Sequence, residues 1–222
     1  MKSGVHKDLD ATSCYDRILP WIANICSRRV GVHQKVAVVN CRTLQQARFH
    51  LKTSFDVSEE FYSHCEAYPI YGTGQGSGNS PYIWCFVASA LFDAFEEKAH
   101  GASFYSYDGK IHIKVYMIGF VDDCSQQVND FRAHPQPSET RLITVMKHDA
   151  QLWSDLLWAS GGALEIPKCS FQLIKSQWTS RGRPFLDGQC SAPPLIISND
   201  DGHWRVKQLS NYQARRSLGD RN

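Results

Sequence analysis

Ile111-His112-Ile113-Lys114-Val115-Tyr116-Met117-Ile118-Gly119-Phe120-Val121-Asp122-Asp123 carries apolar residues at 111, 113, 115 and 117, the two-residue period of a half-buried strand, and ends in two adjacent aspartates. The polar run Cys124-Ser125-Gln126-Gln127-Val128 can return antiparallel, which sets the Asp pair at a hairpin tip. Two ionised carboxylates about 4 Å apart repel by about 4 kcal/mol at an effective dielectric of about 20. Such a pair persists where it is solvated or where it shares a cation. Asp is a common turn residue and a solvated turn needs no partner; a hard divalent metal is the cation that suits two carboxylates.

Two segments upstream bear on that choice. Tyr71-Gly72-Thr73-Gly74-Gln75-Gly76-Ser77-Gly78-Asn79-Ser80-Pro81 runs into the apolar segment from Tyr82 to Phe95 and reads as a loop feeding a helix. Its four glycines permit close backbone approach, Ser80 suits an N-cap and Pro81 the first helical turn. Loop amides and a helix N-terminus favour an anion, phosphate above all, whereas a glycine-serine stretch without such a ligand is a flexible connector. No Gly-Lys-Ser/Thr follows, so it is not a P-loop. Nearer the N-terminus, Asp8-Leu9-Asp10-Ala11-Thr12-Ser13-Cys14-Tyr15-Asp16-Arg17-Ile18 precedes a helical pattern at Ile18, Trp21, Ile22 and Ile25. Acidic residues and serine there are also what helix capping selects.

In order, spacing and residue type the three segments together resemble the palm of reverse transcriptases. Asp10-Ala11-Thr12-Ser13-Cys14-Tyr15-Asp16 is similar to the family's first polymerase motif, Gln75-Gly76-Ser77-Gly78-Asn79-Ser80-Pro81 to its second, and Phe120-Val121-Asp122-Asp123 to its third; the resemblance covers residues 8–131. A looser match follows in Leu156 to Cys169, where Lys168 stands for a family lysine that approaches the incoming phosphates as a general acid; a solvated lysine after a turn proline reads equally well there. The Cys-Tyr-Asp and Gln-Gly-Ser wording is closer to non-LTR retroelements and group II intron enzymes than to retroviral ones.

The resemblance implies nucleotidyl transfer of deoxynucleotides to a primer 3'-hydroxyl by a two-metal mechanism. Asp10, Asp122 and Asp123 would bind the two ions, with the carbonyl of Ala11 as a further ligand; magnesium suits oxygen ligands, and manganese is the alternative. Tyr15 would lie under the sugar and clash with a 2'-hydroxyl, although its position also suits a helix-core aromatic. Gln75 and Gly76 would lie against the nucleotide and templating base, Ser80 and Pro81 would start the helix behind the site, and Phe120 would pack near the primer terminus. RNA template, DNA primer and dNTP are the implied partners. The family carries a fingers region ahead of its first motif, whereas here that motif begins ten residues from Met1 and Met1-Lys2-Ser3-Gly4-Val5-His6 reads as a poor strand. An N-terminally truncated retroelement copy or a partial gene product is therefore expected, of little activity in isolation, with a partner or missing segment as the source of the fingers. A non-catalytic remnant that binds nucleic acid or protein is the alternative, and an unrelated α+β domain a third.

The composition fits one well-buried domain: 222 residues, 42% hydrophobic and 21% charged. A net charge of +2 excludes a general polyelectrolyte binder, so nucleic-acid contact falls to local patches such as Arg28 and Arg29, Arg181 and Arg183, or Arg215 and Arg216. Eight cysteines show neither a Cys-x-x-Cys pair nor the histidine spacing of a zinc site, which fits reduced thiols in an intracellular protein, cytoplasmic or nuclear. No signal core or membrane span is visible.

Along the chain, helices are expected over 14–29, 34–52, 58–66, 81–99 and 140–159, with Pro20 shortening the first. A hairpin is expected about Asp108-Gly109, and short strands over 164–166, 170–178 and 194–198 with a turn at 199–202. The fold class is α+β, with helices packed on one face of an antiparallel sheet, a catalytic-type Asp-Asp hairpin and a small C-terminal β-rich extension. Residues 1–131 form the expected palm core, 132–188 its continuation after a proline-bearing linker over 132–139, and 189–222 a β hairpin with a basic tail, a thumb remnant.

Overall fold

The computed structural model describes residues 3–12, 14–65, 72–74, 77–129, 139–187, 191–200 and 202–211. Gln75, Gly76, most of the expected linker and the tail beyond 211 lie outside these residues. In chain order the elements are β1 (Ser3–Asp10), α1 (Cys14–Arg17), α2 (Pro20–Arg29), α3 (Gln34–Gln45), β2 (Arg48–Lys52), β3 (Val57–Ser63), α4 (Ser80–Glu96), β4 (Ala102–Tyr105), β5 (His112–Val115), β6 (Ile118–Phe120) and β7 (Asp123–Asn129). After them come α5 (Glu139–Ala159), a 3-10 turn at Ile166–Lys168, β8 (Ser170–Trp178), β9 (Pro184–Leu186), β10 (Ile196–Asn199), β11 (Gly202–Arg205) and β12 (Lys207–Gln208). The fold is mixed α+β and rich in antiparallel pairing.

The chain forms two compact units. The first comprises residues 1–12, 92–158 and 163–222, and is built on the sheet β12-β8-β1-β7-β6, with β9 added to β8. Every pairing in it is antiparallel except β12 with β8. β1 lies between β7 and β8, with Val5, Lys7 and Leu9 buried and His6, Asp8 and Asp10 on the opposite, half-buried face. Cys124, Gln126 and Val128 of β7 and Phe171 and Leu173 of β8 complete the buried face. Leu142, Met146, Ala150, Trp153 and Leu157 repeat every three to four residues, so α5 has one continuous apolar stripe and all five are buried. The Trp153 ring stacks on Phe92 at 5.4 Å and meets the edge of Phe95 at 5.7 Å. Gly119 lets Phe92 lie against β6, since a Cβ there would stand 2.4 Å from the ring.

The second unit comprises residues 13–91 and 159–162 and gathers α1, α2, α3, the β2–β3 ribbon and the greater part of α4 about Ile18, Ala23, Ile83, Trp84 and Val87. Gly161, at φ +95°, allows the chain to pass Arg17, whose carbonyl would lie 2.3 Å from a Cβ.

Several expectations are corrected. The N-terminal segment, read as a poor strand, supplies β1 at the middle of the main sheet; Gly4 and the buried Lys7 interrupt the apolar alternation that would have announced it. Asp8 and Asp10 therefore lie on a strand rather than capping a helix. The helix expected over 34–52 ends at Gln45 and gives way to β2, and the one expected over 58–66 is β3, whose residues pair with β2 from Arg48↔Ser63 to Lys52↔Val57. Cross-strand aromatic pairing decides this, with Phe49 stacked on Tyr62 at 5.2 Å. The run over 111–118 is two strands, because β5 pairs with β4 while β6 pairs with β7. Pro20 opens α2 at its first turn, so 14–29 is two helices. In place of a strand over 164–166 there is a single bridge, Ala11↔Leu164, followed by the 3-10 turn.

Candidate active site

β1 ends at Asp10 directly opposite the start of β7, with Asp10 and Asp123 as cross-strand partners on the same face of the sheet. β6 and β7 are joined by the two residues Val121 and Asp122, since Phe120 pairs with Asp123. Val121 has φ +54°, the left-handed region that a β-branched residue avoids, which costs on the order of 1–3 kcal/mol. The Ala11 N–H donates to the Asp122 carbonyl at 3.1 Å and locks this turn to the end of β1. Backbone pairing thus sets three aspartates within two adjacent strand ends.

The chain beyond Asp10 is stitched to residues 163–165. The Thr12 N–H donates to the Ala163 carbonyl at 2.8 Å, and the Glu165 N–H to the Asp10 carbonyl at 2.8 Å. The Thr12 hydroxyl donates to Glu165 Oε2 at 2.6 Å. Three residues further on, the Lys168 ammonium stands 3.7 Å from Asp10 Oδ2; the lysine is 61% exposed and the aspartate 14%. At that distance and exposure the pair contributes about 0–1 kcal/mol, so it restrains Lys168 only weakly. On the same face Ser125 Oγ donates to Asp8 Oδ1 at 2.6 Å, and His6 Nε2 lies 3.1 Å from that oxygen.

Of the residues singled out in sequence, Asp10, Ala11, Phe120, Asp122, Asp123 and Lys168 belong to the first unit. Ala11 is buried at 4% exposure, and Phe120 projects into solvent at 60%. Tyr15, Ser80 and Pro81 belong to the second unit. There the glycine loop leans on α1: the Gly72 N–H donates to the Ile18 carbonyl at 2.8 Å and the Thr73 N–H to the Tyr15 carbonyl at 2.7 Å. Gly72, at φ +95°, could not carry a Cβ, which would lie 2.5 Å from the Asp16 backbone. Ser80 is buried as the first residue of α4, and its hydroxyl donates to the Thr73 and Gly74 carbonyls at 2.9 and 2.8 Å. It ties the loop down instead of capping helical N–H groups, which corrects the expected N-cap. The amides of Gly72 and Thr73 are bonded within the chain, so neither is offered to an anion.

Glu165 and Thr12 adjoin Asp10 without having been foreseen, because a contact across 153 residues leaves no local pattern. Asp8 was visible as the residue two before Asp10, which on a strand is the same face. Also unforeseen are His100, His148 and Asp149, whose ligand atoms lie within 4.8 Å of one another and form the one such set among the described residues. The three aspartates of the β1–β7 end form no closed ligand set of that kind.

No family model matches the sequence, and no curated protein matches it. Among solved structures, the apo telomerase from Candida tropicalis truncated from its C-terminal domain is similar, with a TM-score of 0.51 at 12% identity over 90% of this chain and 34% of that one. The likeness is one of fold, and this chain spans about a third of the length of that telomerase. Among the described residues, no helix is long and apolar enough to cross a membrane.

Proposed function

We propose that the chain is the palm region of an RNA-directed DNA polymerase, of non-LTR or group II intron-like retroelement type, extending a DNA primer with deoxynucleotides along an RNA template. The observation that carries this reading is the direct cross-strand pairing of Asp10 with Asp123, next to Asp122 in the two-residue turn. Like charges opposite each other disfavour a sheet by about 0.2–1 kcal/mol, so the arrangement asks for a cation. The left-handed Val121 adds a second local cost beside it, and such costs gather at functional sites. A fold likeness to telomerase, a polymerase related to reverse transcriptases, points the same way.

All three side chains offer oxygen alone, which fits magnesium, with manganese as substitute. Held by Asp10, Asp122 and Asp123, two such ions would activate the primer 3'-hydroxyl and neutralise the leaving pyrophosphate. The Ala11 carbonyl would join these ligands. Lys168, held to Asp10 only across 3.7 Å, turns towards the nucleotide phosphates and delivers a proton to the pyrophosphate. By the resemblance to reverse transcriptases, Tyr15 would reject a 2'-hydroxyl by clash. By the same resemblance, Gln75 and Gly76, which lie outside the described residues, would serve the nucleotide and templating base, Ser80 and Pro81 would start the helix that follows them, and the exposed Phe120 ring would serve the primer end. Positioning and charge neutralisation then supply most of the rate.

The test is primer extension on an RNA template with the purified protein, magnesium and deoxynucleotides, beside the Asp122→Ala, Asp123→Ala double variant. Extension by the native chain that the variant lacks is the expected result. A folded native chain that extends nothing would overturn the catalytic reading, and retained binding of the primer–template would then point to a non-catalytic nucleic-acid binder.

A further inference from the structure

We infer that Asp149, His100 and His148 form a binding site for one divalent transition-metal ion, zinc by chemistry, on the helix side of the sheet. The inference is independent of the polymerase reading, since Asp149 faces Gln126 on the buried side of β7 and the three aspartates belong to the β1–β7 end.

The geometry is that of a ligand set already drawn together. His100 Nδ1 and His148 Nδ1 approach the same carboxylate oxygen, Asp149 Oδ1, at 2.8 and 3.1 Å. Ligand atoms about 2.0–2.1 Å from a tetrahedral zinc stand about 3.3–3.4 Å apart, so each ring nitrogen need move from Asp149 Oδ1 by only about half an ångström, and all three ligand atoms already lie within 4.8 Å of one another. Two imidazoles and a carboxylate match zinc and similar borderline ions better than magnesium, which prefers oxygen alone.

The surroundings orient the carboxylate as outer-shell partners do around a metal. Its other oxygen, Oδ2, is taken by Gln126 Nε2 at 2.7 Å and by the His100 N–H at 3.0 Å, which turns Oδ1 towards the two rings. Without a metal, both rings must keep their hydrogens on Nδ1 and crowd one oxygen. A metal replaces both hydrogens. The rings are half exposed, at 49% and 54%, which gives an ion a path from solvent. His100 also lines a cavity of about 430 Å³ with Ser103 and Asn129, which keeps its side of the site open. A bound ion would clip the segment between α4 and β4 to the middle of α5.

The experiment uses the full chain stripped with a chelator and titrated with zinc chloride, followed by calorimetry and by thermal unfolding, with magnesium chloride as the control. Uptake of one equivalent of zinc is expected, with a rise in Tm of several degrees that magnesium does not produce. His100→Gln and His148→Gln, both at half-exposed positions, should each unfold near the Tm of the metal-free native chain and lose the zinc-dependent rise. The Asp122→Ala, Asp123→Ala variant should keep that rise in full. Absence of zinc uptake by the native chain would overturn the proposal and leave both rings as hydrogen-bond donors to Asp149. Uptake and Tm rise that survive in both histidine variants would overturn it too, by assigning the metal to thiols elsewhere.

Discussion

Asp10 and Lys7 lie three residues apart on β1 and face different solvents. Asp10 shares its face with His6 and Asp8, where water, Lys168 and Ser125 meet the charges. Lys7 points the other way, between Val5 and Leu9, with none of its surface exposed and no hydrogen-bond partner for its ammonium among the described residues. Burial lowers its pKa from 10.5 to about 7, against the pull of Asp149 and, more weakly, of Cys169 and Cys124. One face of a single strand therefore concentrates negative charge where ligands can reach it. The other holds the Lys7 ammonium inside the helix–sheet interface, with none of its surface exposed. The contrast teaches that the strand's two-residue period, and not residue type, sorts its charged groups into chemistry and stability.

Substitutions on the two faces should accordingly move different observables. The largest effect is expected for Asp10→Asn, which should lower primer extension by at least about 10³-fold, or about 4 kcal/mol in the barrier. Its stability should stay within about 1 kcal/mol of the native chain in urea unfolding, because relief of the repulsion from Asp123 opposes loss of the Lys168 pair. Equal losses of extension and stability would break the comparison.

Asp149→Ala, on the buried side, is expected to cost about 3–5 kcal/mol in urea unfolding, because Lys7 and Gln126 lose the carboxylate they face. Any extension that the folded fraction performs should be unchanged per molecule.

Lys7→Met sharpens the comparison through pH. The folded pKa of about 7 lies below the ordinary 10.5, so between these values the unfolded chain holds a proton that the folded chain has released. Stability should rise with pH across that window, by up to about 1.4 kcal/mol per pH unit, and be lost again as pH falls towards 7. Urea unfolding of Lys7→Met should lack that rise, and an unchanged slope would mean that the ammonium is not buried.

The smallest effect concerns the turns. Gly109, in the β4–β5 hairpin, meets φ +70° without a side chain, whereas Val121 meets φ +54° with a branched one. Val121→Gly removes strain of about 1–2 kcal/mol per left-handed residue but adds about 0.5–1 kcal/mol of chain entropy. Stability should therefore rise by between zero and about 1.5 kcal/mol, read as a small increase in Tm. Gly109→Val should lower it by a similar amount or more.

Where local patterns were unbroken, the fold was legible. The helical stripe from Leu142 to Leu157 and the turn at Asp108-Gly109 follow from spacing and from glycine's freedom, and both stand close to where they were expected. Misreadings fell where a long-range contact outweighed local preference. Residues 58–63 pass as helix until Phe49 and His50 of β2 offer Tyr62 and Phe61 their cross-strand partners. Residues 1–6 pass as a poor strand until β7 and β8 flank β1, since the alternation of Val5 and Leu9 is interrupted by a lysine that is buried all the same.

The sequence by itself determined the chemistry on offer: the Asp-Asp pair after an alternating run, the earlier Asp10, and the glycine loop ahead of an apolar helix. Those are local facts, set by residue order and by backbone periods of two and 3.6. Tertiary structure alone decided that Asp10 stands across from Asp123, that Glu165 returns to Thr12, and that His100 meets His148 and Asp149. Each of these contacts joins segments from about 50 to more than 150 residues apart, and no local rule encodes them, because burial and pairing free energy appear only once the sheet and α5 have closed on each other.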